Sequence, residues 1–369
     1  MVWSVAIESL ISELVAIESV NPDLVASGSG ETAIAQFVAS WLRDAGLDVE
    51  IVEPVPGRPS VVGVLHGAGG GSSLMLNAHM DTVGAGGMAD AFSPVVRDGR
   101  VYGRGAYDMK ASLAAIMITA REAASLRLKG DLIITAVADE EVASLGTSAV
   151  LERFPADFGI VTEPTELSLC LAHKGFVWLE VETQGVAAHG SRADHGVDAI
   201  AHMGRALTGV LELDSVLRHG PRHGLLGTGS IHASLIEGGQ EMSTYPAHCI
   251  AKLERRTVPG EDGATSLREI QALIGDEPAT ARVMLERPPS EVAASHPLAR
   301  AVARAAGDPV LTGVAYWMDM ALLNAAGIPA VAYGPAGGGE HADVEWVDIA
   351  SVEKCVEVYL RAAELLCTR

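Results

Sequence analysis

The stretch LMLNAHMDTV, residues 74–83, carries two signals at once. Residues 74–78 are a short, mostly apolar run, the pattern of a strand buried on both faces of a sheet. The run ends in His79-Met80-Asp81, which sets an imidazole and a carboxylate at the strand's carboxyl end. In open α/β sheets, ligands bind beyond that end. The arrangement recurs further on: 132–138 runs into Asp139-Glu140-Glu141, and 158–162 runs into Glu163. A fourth run, 330–333, leads through the glycine-rich stretch 334–340 into His341. Asp108 stands at the start of a helix read over 110–126, after Gly103-Arg104-Gly105. The spacing therefore predicts four strand ends on one rim, each bearing His or carboxylate.

Outward from this stretch, apolar residues recur at helical spacing over 3–20 and 31–45, and strand-like runs occupy 47–52 and 61–65. Short apolar runs alternating with helices predict an α/β domain, a mostly parallel mixed sheet flanked by helices. The glycines at 67–71 read as a hairpin turn, since no Gly-Lys-Ser/Thr follows to make a phosphate loop. After Lys174 the pattern changes. Half-exposed strands at 176–183, 229–237, 249–256 and 281–286 alternate with helices at 196–213 and 266–274. That β-α-β-β-α-β order predicts a ferredoxin-like α+β insertion. The expected organisation is one domain built from 1–175 and 288–369, interrupted by a second over 176–287. The first domain resumes with helices at 297–306 and 320–326 and ends in a helix from 349.

Composition excludes several classes. The 369 residues carry a formal charge of −21, so nucleic acid and acidic membrane surfaces would be repelled. Aromatic residues make up only 4%, which leaves little for base stacking. Cys170, Cys249, Cys355 and Cys367 stand too far apart for a zinc ribbon and read as buried, reduced thiols. Glu8, Glu13 and Glu18 interrupt the first apolar stretch, against a signal peptide. The longest apolar run is well short of the ~20 residues of a membrane span. The expectation is a cytoplasmic protein without nucleic-acid or membrane partners.

The residues at the strand ends select a metal class. Histidine with carboxylates and no cysteine suits Zn²⁺, Co²⁺ or Mn²⁺. Two histidines and three carboxylates exceed what one open zinc site needs, and suit two metals sharing a bridging carboxylate. Residues i and i+2 of a strand face one side, so Asp81 is expected to accept a hydrogen bond from the second ring nitrogen of His79.

The motifs His79-Met80-Asp81-Thr82-Val83, 103–110 (GRGAYDMK), Asp139-Glu140-Glu141 and Thr162-Glu163-Pro164 resemble the acetylornithine deacetylase, succinyl-diaminopimelate desuccinylase and carboxypeptidase G family. The resemblance continues through Ala188-His189-Gly190-Ser191, the stretch 254–260 (ERRTVPG) and His341, in family order over nearly the whole chain. It implies a co-catalytic zinc amidohydrolase whose inserted domain is a lid that often dimerises. By that resemblance His79 and Glu163 hold one metal, Glu141 and His341 the other, and Asp108 bridges them. Glu140 is the general base that takes the proton of a metal-bound water to leave hydroxide, with Asp81 beside it. His189 stabilises the oxyanion, frequently from the second copy of a homodimer. Arg256 grips a substrate carboxylate. The implied substrate is an N-acyl amino acid, with a dipeptide or carboxypeptidase substrate as the alternative.

Some positions depart from the family pattern. Tyr107 stands where a small residue is usual, Ala111 replaces a common glycine, Ala193 a frequent proline, and Ser243, a candidate substrate contact, an asparagine. None of these is a ligand position. A non-catalytic binding relative would have lost Glu140 or a ligand, and none is lost. Serine hydrolysis lacks its Gly-x-Ser-x-Gly elbow.

Overall fold

Leu74–His79 forms a strand buried along its whole length in the computed structural model of the chain, which describes residues 3–275 and 277–368. The chain divides into two compact units. The first comprises Met1–Leu171, Val292–Thr312 and Met318–Arg369; the second comprises Ala172–Glu291 and Gly313–Trp317. The sequence reading put the boundaries at 175/176 and 287/288. The short Gly313–Trp317 segment, which it assigned to the first domain, lies in the second unit.

In the first unit a mixed sheet runs Asp48–Val52, Ser60–Leu65, Leu132–Val137, Leu74–His79, Phe158–Val161, Ala330–Ala332. From Leu132–Val137 to Ala330–Ala332 neighbours are parallel. The register pairs His79 with Val137, Asn77 with Val161, and Val161 with Ala332. Four carboxyl ends thus share one rim. The strands are apolar because helices cover them. Ala111–Ala123 is buried nearly all round and packs on Ile349–Cys367, Ser4–Ala16 and the sheet. Its many alanines let those helices approach closely.

Three elements depart from the sequence reading. Gly67–Gly71 is not a hairpin turn, because Leu132–Val137 pairs between the strands that flank it. The turn lies instead against the segment before Leu132: Asp131 accepts the Gly67 N–H at 2.9 Å, and the Ala68 N–H donates to Leu128. A helix at Leu145–Leu151 and the strand Leu169–His173 went unread, both being short. A small antiparallel sheet orders Gly337–Gly338, Trp346–Asp348, Arg100–Tyr102 and Val95–Arg97.

The second unit has the β-α-β-β-α-β order expected of it: Gly175–Gln184, Ala199–His219, Ser230–Gly238, His248–Thr257, Gly263–Ile274 and Ala279–Arg287. In their own sequence order the strands lie 2-3-1-4, all antiparallel, which is the ferredoxin-like arrangement. Val177, Leu179 and Val181 alternate inward and meet Met203, Ala206, Val210 and Ile270 from the helices. The helices start where Asp198 and Asp262 accept the N–H of Ala201 and Thr265, at 3.0 and 2.7 Å.

Candidate metal centre

His79 closes its strand with the ring buried. Its Nε2 lies 3.1 Å from Asp108 Oδ1 and 3.8 Å from Glu163 Oε1. His341 Nε2 lies 3.3 Å from Asp108 Oδ2 and 3.3 Å from Glu141 Oε2. One carboxylate therefore faces two imidazoles, an oxygen to each. Ligand atoms of His79, Asp108 and Glu141 lie within 4.8 Å of one another, as do those of His79, Glu140 and Glu163. Glu140 is thus inside the cluster.

The loops that deliver these groups have identifiable supports. Gly105 adopts φ +76° at the start of the Asp108 turn, where an added Cβ would meet Thr82 at 2.6 Å. Buried Glu345 accepts the N–H groups of Gly105, Tyr107 and Asp108 at 3.0, 2.9 and 3.0 Å, and Arg104 Nη1 at 2.7 Å. The Asp139–Glu141 turn is held from behind. Asp81 Oδ1 accepts the Glu140 N–H at 3.1 Å and Asp81 Oδ2 the Glu141 N–H at 3.2 Å. Asn21 donates to Asp81 at 2.8 Å and to Asp139 at 3.0 Å. Arg58 reaches Asp139 at 2.7 Å and grips Glu31 with two bonds of 2.8 Å.

Asp81 does not pair with His79 as the strand alternation suggested. His79 Nδ1 is 2.9 Å from the Asp81 main-chain oxygen, and the nearest carboxylate oxygen is at 3.6 Å. The strand ends at His79, so period-two facing no longer governs Asp81, and its carboxylate turns to Asn21 and the two amides.

Electrostatics follow from crowding acids in a buried place. Burial, then the charges of Glu163 and Asp319, hold the Glu140 carboxyl well above its usual range. Burial pushes Glu163 up to about 8. Burial alone would lower His79, but the Asp108 hydrogen bond and the charges of Glu163, Asp108 and Asp81 override it and raise it well above normal. His341 is pushed up to about 10 by Asp108 and Glu141. Burial opposes ionisation of Asp108, yet the two imidazoles keep it well below the ordinary carboxylate range. Glu141 Oε1 is buried with no hydrogen-bond partner among the described residues. A converging set of imidazole and carboxylate donors, one of them unsatisfied, fits a pair of divalent cations.

His189, Ser243 and Arg256 belong to the second unit. His189 is exposed, its Nδ1 2.8 Å from Ser191 Oγ, and its main chain bridges to Thr244. The Ser243 carbonyl accepts the Gly190 N–H at 2.7 Å. Arg256 Nε donates to Glu254 at 2.7 Å, and the guanidinium lies 5.1 Å from the Phe176 ring centroid.

Several residues here had no readable signal. Asn21, Glu31, Arg58 and Glu345 sit in loops or at helix starts with no distinguishing spacing. Asp319 is buried behind the cluster, hydrogen-bonded to Thr147 and pushed up to about 6 by burial. Only its place just before the helix read at 320–326 hinted at it.

Comparison with known proteins shows the chain's family. The chain is 30% identical over 383 residues to acetylornithine deacetylase of Myxococcus xanthus, covering 98% of each chain. It is 33% identical over 257 residues to acetylornithine deacetylase of Erwinia tasmaniensis, covering 67% of each. Its fold matches that of the aminopeptidase PepT from Bacillus cereus, with a TM-score of 0.82 at 18% identity over 98% of each chain. The sequence profile of peptidase family M20/M25/M40 matches residues 75–365, and the chain belongs to that family of amide-bond hydrolases.

Proposed function

We propose that this protein removes the acyl group from an N-acyl amino acid bearing a free carboxylate. The observation that carries the reading is the Asp108 carboxylate, set between His79 and His341 with Glu140 in the same cluster. His79 and Glu163 would hold one divalent metal, Glu141 and His341 the other, with Asp108 shared; zinc, cobalt and manganese all suit these donors. Such metals, when bound, make water a nucleophile at neutral pH and polarise the scissile carbonyl. Glu140 would take a proton from the attacking water and pass it to the departing amine nitrogen. Asp81 serves by fixing the amides of Glu140 and Glu141.

In the second unit His189 would donate to the developing oxyanion, and Arg256 would bind the substrate carboxylate. The Arg256 geometry supports this: Nε is engaged by Glu254, while both Nη atoms lack a hydrogen-bond partner among the described residues. A guanidinium fork fits a planar anion. Ser243 would shape the acyl pocket. The exposed edge strand Ser230–Gly238, carrying Leu235 and Ile236 at 63% and 56% exposure, supports a homodimer. All four cysteines are buried, which supports a reducing compartment, and no described helix is long and apolar enough to cross a membrane.

The test is amine release from N-acetyl, N-succinyl and N-formyl amino acids against dipeptides, using metal-stripped protein with and without each metal. Metal-dependent turnover of an acyl amino acid supports the proposal. Faster turnover of dipeptides would make the protein a peptidase with the same chemistry. Full turnover without metal would sink both.

A further inference from the structure

Three loops carry the candidate ligands Asp108, Glu163 and His341, and one side-chain pair joins all three. The Tyr107 hydroxyl donates to Glu166 Oε1, and the same oxygen accepts the Gly337 N–H at 3.0 Å. Tyr107 immediately precedes Asp108, Glu166 follows Glu163 by three residues, and Gly337 opens the stretch that reaches His341. The main chain adds to the same seam: the Glu166 N–H donates to the Pro335 carbonyl at 3.2 Å and the Leu167 N–H to that of Gly334 at 3.0 Å.

The seam is built at a cost. Glu166 and Leu167 adopt φ of +54° and +59°, the left-handed region that side chains other than glycine avoid. Such backbone persists where its surroundings over-determine it. Tyr107 is 5% exposed, and a Cβ at Gly337 would meet its ring at 2.6 Å, so the Gly337 loop lies flat on the phenol. His341, downstream on that loop, has φ +59° and a side chain 54% exposed, the least enclosed of the five candidate ligands. A ligand so exposed needs its loop held from elsewhere.

We propose that Tyr107 and Glu166 form a tie that positions His341 for metal, an inference that rests on reading His341 as a ligand. Tyr107 is then a positioning residue. It acts through Glu166 and Gly337 on the His341 loop, and leaves the His79–Glu163 half of the site alone.

Calorimetric titration of zinc into metal-stripped protein tests this. Wild-type protein should show two binding steps, and His341→Ala marks the one that depends on His341. Tyr107→Phe deletes one hydroxyl and keeps the ring beneath Gly337. It should weaken that same step on the order of tenfold, the usual scale for removing an outer partner of a ligand, and spare the other. Glu166→Gln keeps an acceptor oxygen and should retain wild-type binding. Glu166→Ala, at an exposed residue, should behave as Tyr107→Phe does. The Tyr107→Phe/Glu166→Ala double variant should lose no more than either alone.

A merely structural tyrosine would lower the melting temperature of the metal-free protein and leave both steps unchanged. That result, or equal weakening of both steps, overturns the tie. Wild-type protein with fewer than two steps overturns the reading of the metal site itself, and the tie's role with it.

Discussion

Arg104 and Glu345 form a fully buried ion pair, Nη1 to Oε2 at 2.7 Å, each side chain 1% exposed. The pair joins the turn bearing Asp108 to the segment that follows His341. Glu345 also caps three main-chain N–H groups of that turn. Glu345→Ala strands a buried guanidinium and three amides together. Removing one partner of a buried pair typically costs ~3–5 kcal/mol. Urea unfolding of metal-free protein should show a loss of that order, and a loss below ~1 kcal/mol would mean that water satisfies the orphaned groups.

Asn21 supplies one side-chain amide to two buried carboxylates, Asp81 and Asp139. Asn21→Ala should let Asp81 drift from the amides of Glu140 and Glu141. Activity or metal affinity should fall on the order of 10–100-fold. Asn21→Asp should do worse, because it sets a third carboxylate against the other two. Turnover and zinc affinity measured side by side check this, and Asn21→Asp performing as well as Asn21→Ala would remove the electrostatic part of the argument.

The strand ends were legible because apolar runs that stop at His or an acid leave their side chains on the rim of a parallel sheet. His79, Glu140, Glu141 and Glu163 came from that pattern, and the observed register gathers them. What stayed hidden was the support behind them. Burial of Arg58 against Glu31 and Asp139 leaves no periodic trace, since a charged residue in a loop looks the same whether solvated or enclosed. The misread turn at Gly67–Gly71 has a similar cause: the strand that inserts between its neighbours lies some sixty residues on, at Leu132–Val137. The helix at Gly263–Ile274 starts three residues before the reading of it, and Asp262 with Thr265 was the available signal.

Glu140 lies within ligand distance of His79 and Glu163, so base and ligand must be told apart by experiment. As a base, Glu140→Gln should lower kcat by ~10²–10⁴ and leave two metals bound per chain. As a ligand, it should cost one metal. Elemental analysis of the purified variant beside its turnover decides between them.

Helix Ala199–His219 exposes Leu211 at 74%, and the Ser230–Gly238 strand exposes Leu235 and Ile236. Ile236→Lys adds the charge that natural edge strands use against pairing. Sedimentation should show a dimer for the parent chain and a monomer for the variant, with unchanged circular dichroism. Mixing His189→Ala with Glu140→Ala protein should then restore activity if His189 serves the other copy. Proven exchange without restoration would mean that His189 works within its own chain or takes no part in the reaction.

His173 gives the second unit a pH limit. The imidazole is buried, donates from Nδ1 to the Lys174 carbonyl at 2.9 Å, and has Nε2 without a hydrogen-bond partner among the described residues. Burial lowers its pKa from 6.5 to about 4. The unfolded chain takes up this proton first, so His173 favours folding above the unfolded value and that contribution is lost as pH falls from 6.5 toward 4. A gap of that size is worth about 3 kcal/mol once pH passes below both values. His173→Leu keeps the volume and removes the proton. Urea unfolding from pH 7 to pH 4 should find the parent losing more stability than the variant, the difference opening below pH 6.5. Parallel curves would mean that water reaches Nε2 and the imidazole titrates freely.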